Sequence, residues 1–321
     1  MPARSVRWGV PSRQEMFFRG LILRIAALGF VRNFVTKTKL MKPLVHRFVA
    51  GETLDEAMAA AEALAEKGLC SSLDLLGENV ATLEEAHAAA LAYEEIVDRI
   101  AKSPHKDKIN ISIKLTALGL DQGDEVAEAN FRELLTLAGR HGIFVRADME
   151  SSEYTEKTIS MIEKVFPDHQ NTGTVLQAML RRTHGDIERL IKLGCRLRLV
   201  KGAYLEGADV AFQDKGEVDM AYVDGGRRLL EAGGHHAIAS QDEAIITQLK
   251  AHAASINRPK GSFEWQMLYG IRRDLQESLA KEGHLVRVYI PYGSQWYPYF
   301  SRRLAERPAN MLFILKSVFR K

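Results

Sequence analysis

Charged residues recur at the ends of short apolar segments through the middle of this sequence. Lys114 ends Ile-Ser-Ile-Lys, Asp148 follows Val-Arg-Ala, and Arg198 and Lys201 bracket a Leu-Val pair just before Gly202. Glycine lets a backbone approach a ligand closely, and neighbouring cations suit a phosphate or a developing anion. If their strands are neighbours, Lys114 and Asp148 can pair, either as a structural ion pair or to orient a zwitterionic ligand.

Polar residues of this kind follow most of the apolar segments. They are Asp74, Glu78, Lys114, Asp148, Glu150, Gln177, Arg198, Lys201, Ser240, Gln241, Glu264 and Tyr289. A structural ion pair would explain Asp74, Glu78, Glu150 or Glu264 individually. The recurrence over most segments nevertheless favours one common site at the segment ends.

The C-terminal pattern Tyr-Phe-Ser-Arg-Arg-Leu-Ala-Glu contains two adjacent arginines. In a helix, Tyr299, Arg303 and Glu306 would share one face, with Arg302 next to it. Adjacent arginines form a solvated surface in many helices. Two guanidinium groups beside an aromatic ring can instead bind a carboxylate bidentately, and the sequence leaves both interpretations open.

A metal site is disfavoured. His235 and His236 are adjacent, but no His-x-His motif occurs. The other polar residues at segment ends are mostly Lys, Arg and Gln, which repel a cation or bind it poorly. We therefore expect no metal.

The elements that must position these residues alternate in type from residue 69 onward. Eight apolar segments are predicted to be strands: Leu69–Leu76, Ile109–Leu115, Ile143–Met149, Thr174–Leu180, Arg196–Lys201, His236–Ser240, Phe263–Leu268 and Val286–Ile290. The segments between them have apolar residues at helical spacing, and Thr82 with Glu85 has the pattern of a capping box. Eight strand–helix units predict an α/β fold, a (β/α)8 TIM barrel with its site at the carboxyl ends of the strands.

An open doubly wound sheet is the rival architecture. No Gly-x-Gly-x-x-Gly follows the first predicted strand, and no Walker A motif occurs. The barrel is therefore preferred. Residues 1–66 are predicted to form an N-terminal helical arm, with Leu54–Glu66 as its last helix, and residues 67–321 to form the barrel and C-terminal helices.

The 321 residues carry 44 Lys and Arg against 41 Asp and Glu, but this charge is unevenly spread. Residues 1–47 have ten basic residues and one acid, and residues 287–321 have seven and one. Basic ends on an acidic body can bind an anionic membrane surface or merely be solvated. No zinc-finger or RNA-binding motif appears, so we expect no nucleic acid partner.

The first residues lack the apolar core of a secretory signal, so we expect a cytoplasmic protein. The apolar segment Phe17–Val35 contains three arginines, and its longest uncharged run is too short to span a bilayer. It is expected to pack on the body, or to contact a membrane or a second copy in a homo-oligomer. Cys70 and Cys195 are isolated, which favours two buried thiols over a disulfide.

Several motifs, in their order along the chain, resemble the proline dehydrogenase family, in its short monofunctional bacterial type. They are Leu-Asp-Leu-Leu-Gly-Glu (73–78), Ile-Ser-Ile-Lys-Leu (111–115), Arg-Ala-Asp-Met-Glu (146–150), Val-Leu-Gln (175–177), Arg-Leu-Val-Lys-Gly-Ala-Tyr (198–204), Phe-Glu-Trp-Gln-Met-Leu-Tyr-Gly (263–270), Val-Tyr-Ile-Pro-Tyr-Gly (288–293) and Tyr299 to Asn310. Each motif alone is modest, but eight in order are specific.

The resemblance implies a distorted (β/α)8 barrel that binds FAD. It implies oxidation of L-proline to Δ1-pyrroline-5-carboxylate by hydride transfer to the flavin, the first step of proline catabolism to glutamate. The electrons would pass to a membrane quinone, from a protein held peripherally on the inner face of the cell membrane. Flavin would carry the redox chemistry, and the protein would position the reactants.

The resemblance also assigns roles to individual residues. Those implied to bind substrate are Lys114, Arg302, Arg303, Glu306, Tyr204, Tyr299 and Leu268, and those implied to be catalytic are Asp148, Arg198, Lys114 and Tyr289. Those implied to bind the cofactor are Met149, Gln177, Arg198, Lys201, Gly202, Ala203, Ser240 and Gln241. Arg198 would stabilise the reduced flavin, and Arg302 and Arg303 would hold the proline carboxylate.

Two departures from the family pattern concern the cofactor. Gln241 stands where the family usually has a histidine, and Leu205 stands where an aromatic residue often packs on the adenine. The sequence leaves two other functions open: a flavin barrel acting on another cyclic amino acid, and a non-enzymatic scaffold at a membrane. Tyr299 argues for proline, because a phenol near the ring would crowd a hydroxyl substituent, and Arg302 with Arg303 argues against the scaffold.

Overall fold

The structure, a computed structural model, describes residues 45–305 of the chain. Most of the predicted N-terminal arm therefore lies outside the described residues, as do the apolar segment Phe17–Val35 and Glu306. The division of the chain at residue 67 stays a prediction. Within the described part, no helix has the length and apolar character needed to cross a membrane.

Eight strands follow one another along the chain. They are β1 (Cys70–Leu75), β2 (Ile109–Ile113), β3 (Val145–Ala147), β4 (Thr172–Gln177), β5 (Arg196–Val200), β6 (Ala237–Ala239), β7 (Glu264–Leu268) and β8 (Leu285–Tyr292). Each strand pairs in parallel with the next, and β8 pairs with β1, so that the sheet closes into a barrel. This confirms the predicted (β/α)8 fold and excludes the open doubly wound sheet. The main difference from the predicted bounds is that β4 begins and ends earlier than the segment 174–180.

Helices connect the strands and surround the barrel. They are α1 (Leu54–Glu66), α2 (Leu83–Ala101), α3 (Asp124–Arg140), α4 (Ser152–Val165), α5 (Thr183–Leu193), α6 (Lys215–Ala232), α7 (Glu243–Ser255), α8 (Arg273–Lys281) and α9 (Trp296–Ala305), with a 3-10 turn at Lys106–Lys108. Helix α1 has the bounds expected from the sequence. Helix α9 follows β8 directly and carries Arg302 and Arg303.

Two helices begin with a threonine cap. At α1 the capping box is complete, because Thr53 accepts a hydrogen bond from the Glu56 amide and the Glu56 carboxylate accepts one from the Thr53 amide. At α2, Thr82 caps the Glu85 amide as predicted, but the Glu85 carboxylate accepts from Ala81, one residue before the cap. The predicted capping-box pattern is therefore half realised at α2.

Alternating residues of the strands separate an apolar layer from a polar barrel interior. In β2, Ile111 and Ile113 are buried in the main core beneath the helices, whereas Ser112 points inward. In β7, Trp265 belongs to the same apolar core, while Glu264 and Gln266 face the interior. Successive side chains of a strand point to opposite faces, so this alternation follows from the sequence. The interior is consequently filled by buried hydrogen-bonding groups.

An ion pair between β7 and β8 closes the amino-terminal end of the barrel. The Arg287 guanidinium donates to both Glu264 oxygens, each at 2.8 Å, and both side chains are nearly fully buried. Burial alone would raise the Glu264 pKa, but Arg287 and the hydrogen bonds from His235 and Gln266 hold that pKa well below its ordinary value. The carboxylate therefore stays ionised in the folded protein.

The two cysteines are buried free thiols, as the sequence predicts. Burial raises the pKa of Cys195 to about 12. The thiol form dominates at neutral pH, and the side chain acts as a small apolar group in the core.

We expect Glu264→Ala to lower the free energy of unfolding by about 3–5 kcal/mol, because Arg287 would keep a buried charge without its counterion. Because folding lowers the Glu264 pKa, the ionised carboxylate adds stability at every pH above the ordinary carboxyl pKa of about 4.3. This stability is lost only as the pH falls below that ordinary value. Urea denaturation at pH 7 measures the difference. The exposed Lys67–Glu277 pair supplies the control, since Glu277→Ala should cost less than about 1 kcal/mol. Equal costs for the two variants would contradict this account.

Candidate active site

The carboxyl ends of the strands bring most of the singled-out residues to one mouth of the barrel. Asp74 lies near the end of β1, Lys114 follows β2, Asp148 follows β3, and Gln177 ends β4. All four are buried. Parallel strands in a closed barrel present these ends at the same side, so these four residues lie at one mouth of the barrel.

Arg198 on β5 is the central group of this mouth. Its Nη1 donates to Asp148 Oδ1 at 2.7 Å, its Nη2 to Ser112 Oγ at 3.1 Å, and its Nε to Gln266 Oε1 at 2.5 Å. Only 5% of Arg198 is exposed. A buried guanidinium is costly unless it is paired and hydrogen-bonded, and these three partners meet that requirement.

Asp148 joins Arg198 to Tyr289 on β8. The Tyr289 hydroxyl donates to Asp148 Oδ2 at 2.7 Å, and the Arg198 guanidinium lies over the Tyr289 ring, 5.2 Å from its centre. Burial, together with the negative charge of Asp148, holds the Tyr289 pKa well above its ordinary value. Tyr289 is therefore a neutral phenol that donates to the carboxylate.

Lys114 pairs with Asp74, not with Asp148 as the sequence interpretation proposed. Lys114 Nζ lies 2.8 Å from Asp74 Oδ1, and both groups are buried. The parallel pairing places Asp74 of β1 beside Ser112 of β2, two residues before Lys114, while Asp148 is engaged by Arg198 and Tyr289. Burial alone would lower the Lys114 pKa, but the Asp74 carboxylate raises it, so Lys114 remains charged.

The predicted face of the C-terminal helix is confirmed for the residues that the structure describes. The Arg303 guanidinium lies 5.3 Å from the centre of the buried Tyr299 ring. Arg302 Nη1 donates to Glu78 Oε1 at 3.3 Å, which connects α9 with the loop after β1. Glu306, the third residue of the predicted face, lies outside the described residues.

The loop that carries Glu78 is held by a buried glutamate. Thr116 Oγ1 donates to Glu150 Oε2 at 2.6 Å and accepts from the Asn79 amide at 3.2 Å. Asn79 has a φ of +57°, a left-handed conformation that asparagine tolerates better than most residues. Burial raises the Glu150 pKa. Glu150 thus supports the backbone next to the Glu78–Arg302 pair.

The residues implied to bind a cofactor occupy the ends of four consecutive strands, β3 to β6. Met149 and Gln177 are buried, and the Gln177 amide donates to the Glu150 carbonyl at 2.9 Å. Lys201 Nζ lies 2.6 Å from Asp219 and 3.1 Å from Asp242. Ser240, Gln241, Gly202 and Ala203 stand in the loops after β5 and β6.

Gly202 cannot be replaced by a larger residue without rearrangement. Its φ is +118°, and a Cβ atom there would lie 2.3 Å from Met179 Sδ. Its position just after a strand predicts a place where the backbone can approach a ligand closely. The structure shows in addition that Met179 packs directly beneath it.

The residues implied to bind substrate occupy the remaining part of the mouth. Lys114, Leu268 and Tyr289 come from β2, β7 and β8, and the arginine pair comes from α9. Tyr204, from the loop after β5, packs beside Met179 and Leu180. Burial and the nearby Glu78 charge raise the Tyr204 pKa, while Arg302 opposes the shift. Tyr204 therefore lies between the two groups of residues.

From the sequence, Asp74 and Glu78 belong to the set of strand-end residues, and a structural ion pair could explain each of them, while Ser112 and Gln266 have no predicted role. The structure places Asp74 against Lys114, and Glu78 against Arg302. In β2 and β7 alternate residues are polar and point into the barrel, and this alternation is the sequence signal that could have identified Ser112 and Gln266. Among residues 45–305, no group of three or more His, Cys, Asp or Glu could hold a metal ion.

Comparison with known proteins identifies the family. The family model "Proline dehydrogenase" matches residues 57–316. Proline dehydrogenase 1 of Bacillus subtilis is 41% identical over 297 residues, which cover 91% of this chain and 98% of the relative. Proline dehydrogenase of Deinococcus radiodurans is 37% identical over 317 residues, which cover 95% and 99% of the two chains.

The structural comparison supports the same fold. The solved structure of proline utilization A from Bdellovibrio bacteriovorus, inactivated by N-propargylglycine, matches with a TM-score of 0.78 and 24% identity. The match covers 91% of this chain but only 36% of that longer chain, and at this identity it shows the fold alone. Given the family match and the nearly full-length relatives, this chain belongs to the proline dehydrogenase family.

Proposed function

We propose that this protein oxidises L-proline to Δ1-pyrroline-5-carboxylate with FAD as the hydride acceptor, in the first step of proline catabolism to glutamate. The main support for the proposal is that the residues at the mouth of the barrel fall into two groups with different chemistry. Residues suited to a flavin lie at the ends of β3 to β6, and residues suited to an amino acid lie on β1, β2, β7, β8 and α9. Arg198, Asp148 and Tyr289 connect the two parts.

The donor set of the first part fits a flavin dinucleotide. Arg198 offers a fixed positive charge, Gln177 an amide, and Lys201 an ammonium group that is 28% exposed. Gly202 keeps the backbone after β5 free of a side chain. When bound, FAD would supply the two-electron acceptor that none of these side chains provides. Met149, Ala203, Ser240 and Gln241 would complete this part of the site.

The second part fits a small zwitterion. Arg302 and Arg303 would bind the proline carboxylate through charge-assisted hydrogen bonds, and Lys114, kept charged by Asp74, would contribute a third cation. Glu306 would hold this cluster in place. Leu268, Tyr204, Tyr289 and Tyr299 would surround the ring methylenes and exclude water. A dry site favours the neutral form of the substrate nitrogen, which is the form that can lose hydride from the adjacent carbon.

Arg198 would act electrostatically and not as an acid. Its guanidinium is fixed by three hydrogen bonds, so its charge needs no reorganisation as negative charge develops nearby. Asp148 and the Tyr289 hydroxyl hold that charge in place. This arrangement supports a role in catalysis for Asp148 and Tyr289 that both residues exert by positioning Arg198.

We further propose that the electrons pass to a membrane quinone from a cytoplasmic protein bound peripherally to the inner face of the cell membrane. The support is the charge distribution, because both ends of the chain are strongly basic and the body is acidic. Each basic residue near an anionic bilayer contributes about 1 kcal/mol of binding. Contact with a second copy of the chain stays one of the alternatives that the sequence leaves open.

The direct test is the visible spectrum of the purified protein before and after addition of L-proline without oxygen. We expect a flavin band that bleaches with L-proline and does not bleach with D-alanine. A band that bleaches only with hydroxyproline or another cyclic amino acid would contradict the proposed substrate. A protein that cannot be loaded with FAD would contradict the proposed cofactor.

Arg303→Ala is expected to reduce kcat/KM for proline by a factor that corresponds to about 2–3 kcal/mol, because one charge-assisted contact to the carboxylate is lost. Steady-state kinetics with a dye acceptor measure the change. Arg132→Ala is the control, since Arg132 forms surface ion pairs on α3 far from the mouth. An unchanged kcat/KM in Arg303→Ala would remove Arg303 from the site.

Tyr289→Phe is expected to slow flavin bleaching at saturating proline by about tenfold or more, because Asp148 loses a donor and the Arg198 guanidinium loses its alignment. Tyr222→Phe is a matched control. The Tyr222 hydroxyl is also buried, but it donates to the Leu199 carbonyl beneath α6. Anaerobic stopped-flow measurements should give equal rates for Tyr222→Phe and the unmodified protein. The same slow rate in both variants would assign the effect to general loss of packing.

A further inference from the structure

A continuous chain of buried polar groups runs through the barrel from its amino-terminal end to the active-site mouth. His235 and Arg287 contact the Glu264 carboxylate, Glu264 contacts Gln266, and Gln266 contacts Arg198. Gln266 and Glu264 are each only 3% exposed. The chain therefore joins an ion pair at the closed end to the central cation of the mouth.

The orientation of the Gln266 amide is determined by Glu264. The Glu264 carboxylate is ionised, and an ionised carboxylate only accepts hydrogen bonds. Gln266 must therefore present its NH2 group to Glu264, at 2.7 Å. The amide oxygen then points the opposite way and accepts from Arg198 Nε at 2.5 Å. A flipped amide would lose both contacts.

The contact at Nε has a distinct effect on Arg198. Asp148 and Ser112 bind the two terminal nitrogens, whereas Gln266 binds the nitrogen nearest the stem of the side chain. Three acceptors around a planar group fix both its position and its rotation. With Nε released, the guanidinium could turn about its stem while keeping a contact to Asp148.

We propose that Gln266 is a positioning residue, whose amide, oriented by Glu264, holds the Arg198 guanidinium in the alignment required for oxidation of the substrate. In this proposal Gln266 acts through Arg198 and not by direct contact with substrate or cofactor. The catalytic consequence rests on the proposed function. The alignment of Arg198 by Gln266 is a property of the chain alone and can be tested separately.

The first experiment measures the alignment in cofactor-free protein. The Nε–H proton of Arg198 is observed by NMR after arginine-selective labelling and assigned by its absence in Arg198→Lys. We expect slow solvent exchange in the unmodified protein. Gln266→Met has a similar volume but no strong acceptor, and exchange should be about tenfold faster or more. Equal protection in Gln266→Met would overturn the proposal.

The second experiment uses the FAD-loaded protein. We expect Gln266→Met to lower kcat about tenfold, with KM for proline within about twofold, because the carboxylate-binding residues are unchanged. The midpoint potential of the flavin should become more negative, since a misaligned cation stabilises added electrons less. Thr172→Val is the control: this buried β4 hydroxyl donates to the Val145 carbonyl and does not contact Arg198. Its kcat and potential should equal those of the unmodified protein.

The results of these experiments distinguish the positioning role of Gln266 from the proposed oxidation of proline. A kcat and potential that are unchanged in Gln266→Met would overturn the positioning role. A loss of the same size in Thr172→Val would also overturn it, because the effect would then be general destabilisation. If the unmodified FAD-loaded protein were not reduced by L-proline, the proposed function would fail, while the NMR result would still decide whether Gln266 aligns Arg198.

Discussion

The structure depends on the compensation of charge inside the barrel. Arg198 and Lys114 are cations buried at the mouth, and Asp148 and Asp74 are their counterions. Removing such groups from water costs several kcal/mol each, and this cost is offset only when the ions are paired and hydrogen-bonded. The apolar layer beneath the helices supplies the stability that permits this polar interior. Loss of one member of either ion pair would leave its partner as a buried charge without a counterion.

Closure of the barrel explains how two chemically different groups of residues share one mouth. Consecutive strands β3 to β6 present an amide, two cations and a glycine-containing loop. The pair β1–β2 and the pair β7–β8 become neighbours only because β8 pairs with β1. Residues such as Lys114 and Tyr289, distant along the sequence, then lie at the same mouth of the barrel. Membership of the proline dehydrogenase family agrees with this division.

The sequence was sufficient to predict the eight strands and the strand ends that carry polar residues, because these depend on local periodicity, and the count of eight strand–helix units predicted the barrel. It was insufficient to predict the pairings. Lys114 was matched with Asp148, whereas barrel closure and strand register give it Asp74 and leave Asp148 to Arg198 and Tyr289. For Glu78 an ion pair was one explanation, but its partner Arg302 could not be predicted, because the two residues are more than two hundred positions apart. Which side chains pair depends on the tertiary arrangement of the strands, and local periodicity carries no information about that arrangement.

The position of Arg287 has a consequence for how the chain can fold. Besides Glu264 on β7, its guanidinium donates to the carbonyls of Ser71 on β1 and Lys108 before β2, at 2.8 and 3.1 Å. These acceptors come from both ends of the sheet and meet only in the closed ring. A sheet in which β8 does not pair with β1 would lack these two contacts. Arg287 therefore contributes hydrogen bonds that exist only in the closed barrel, and these bonds favour closure over an open sheet.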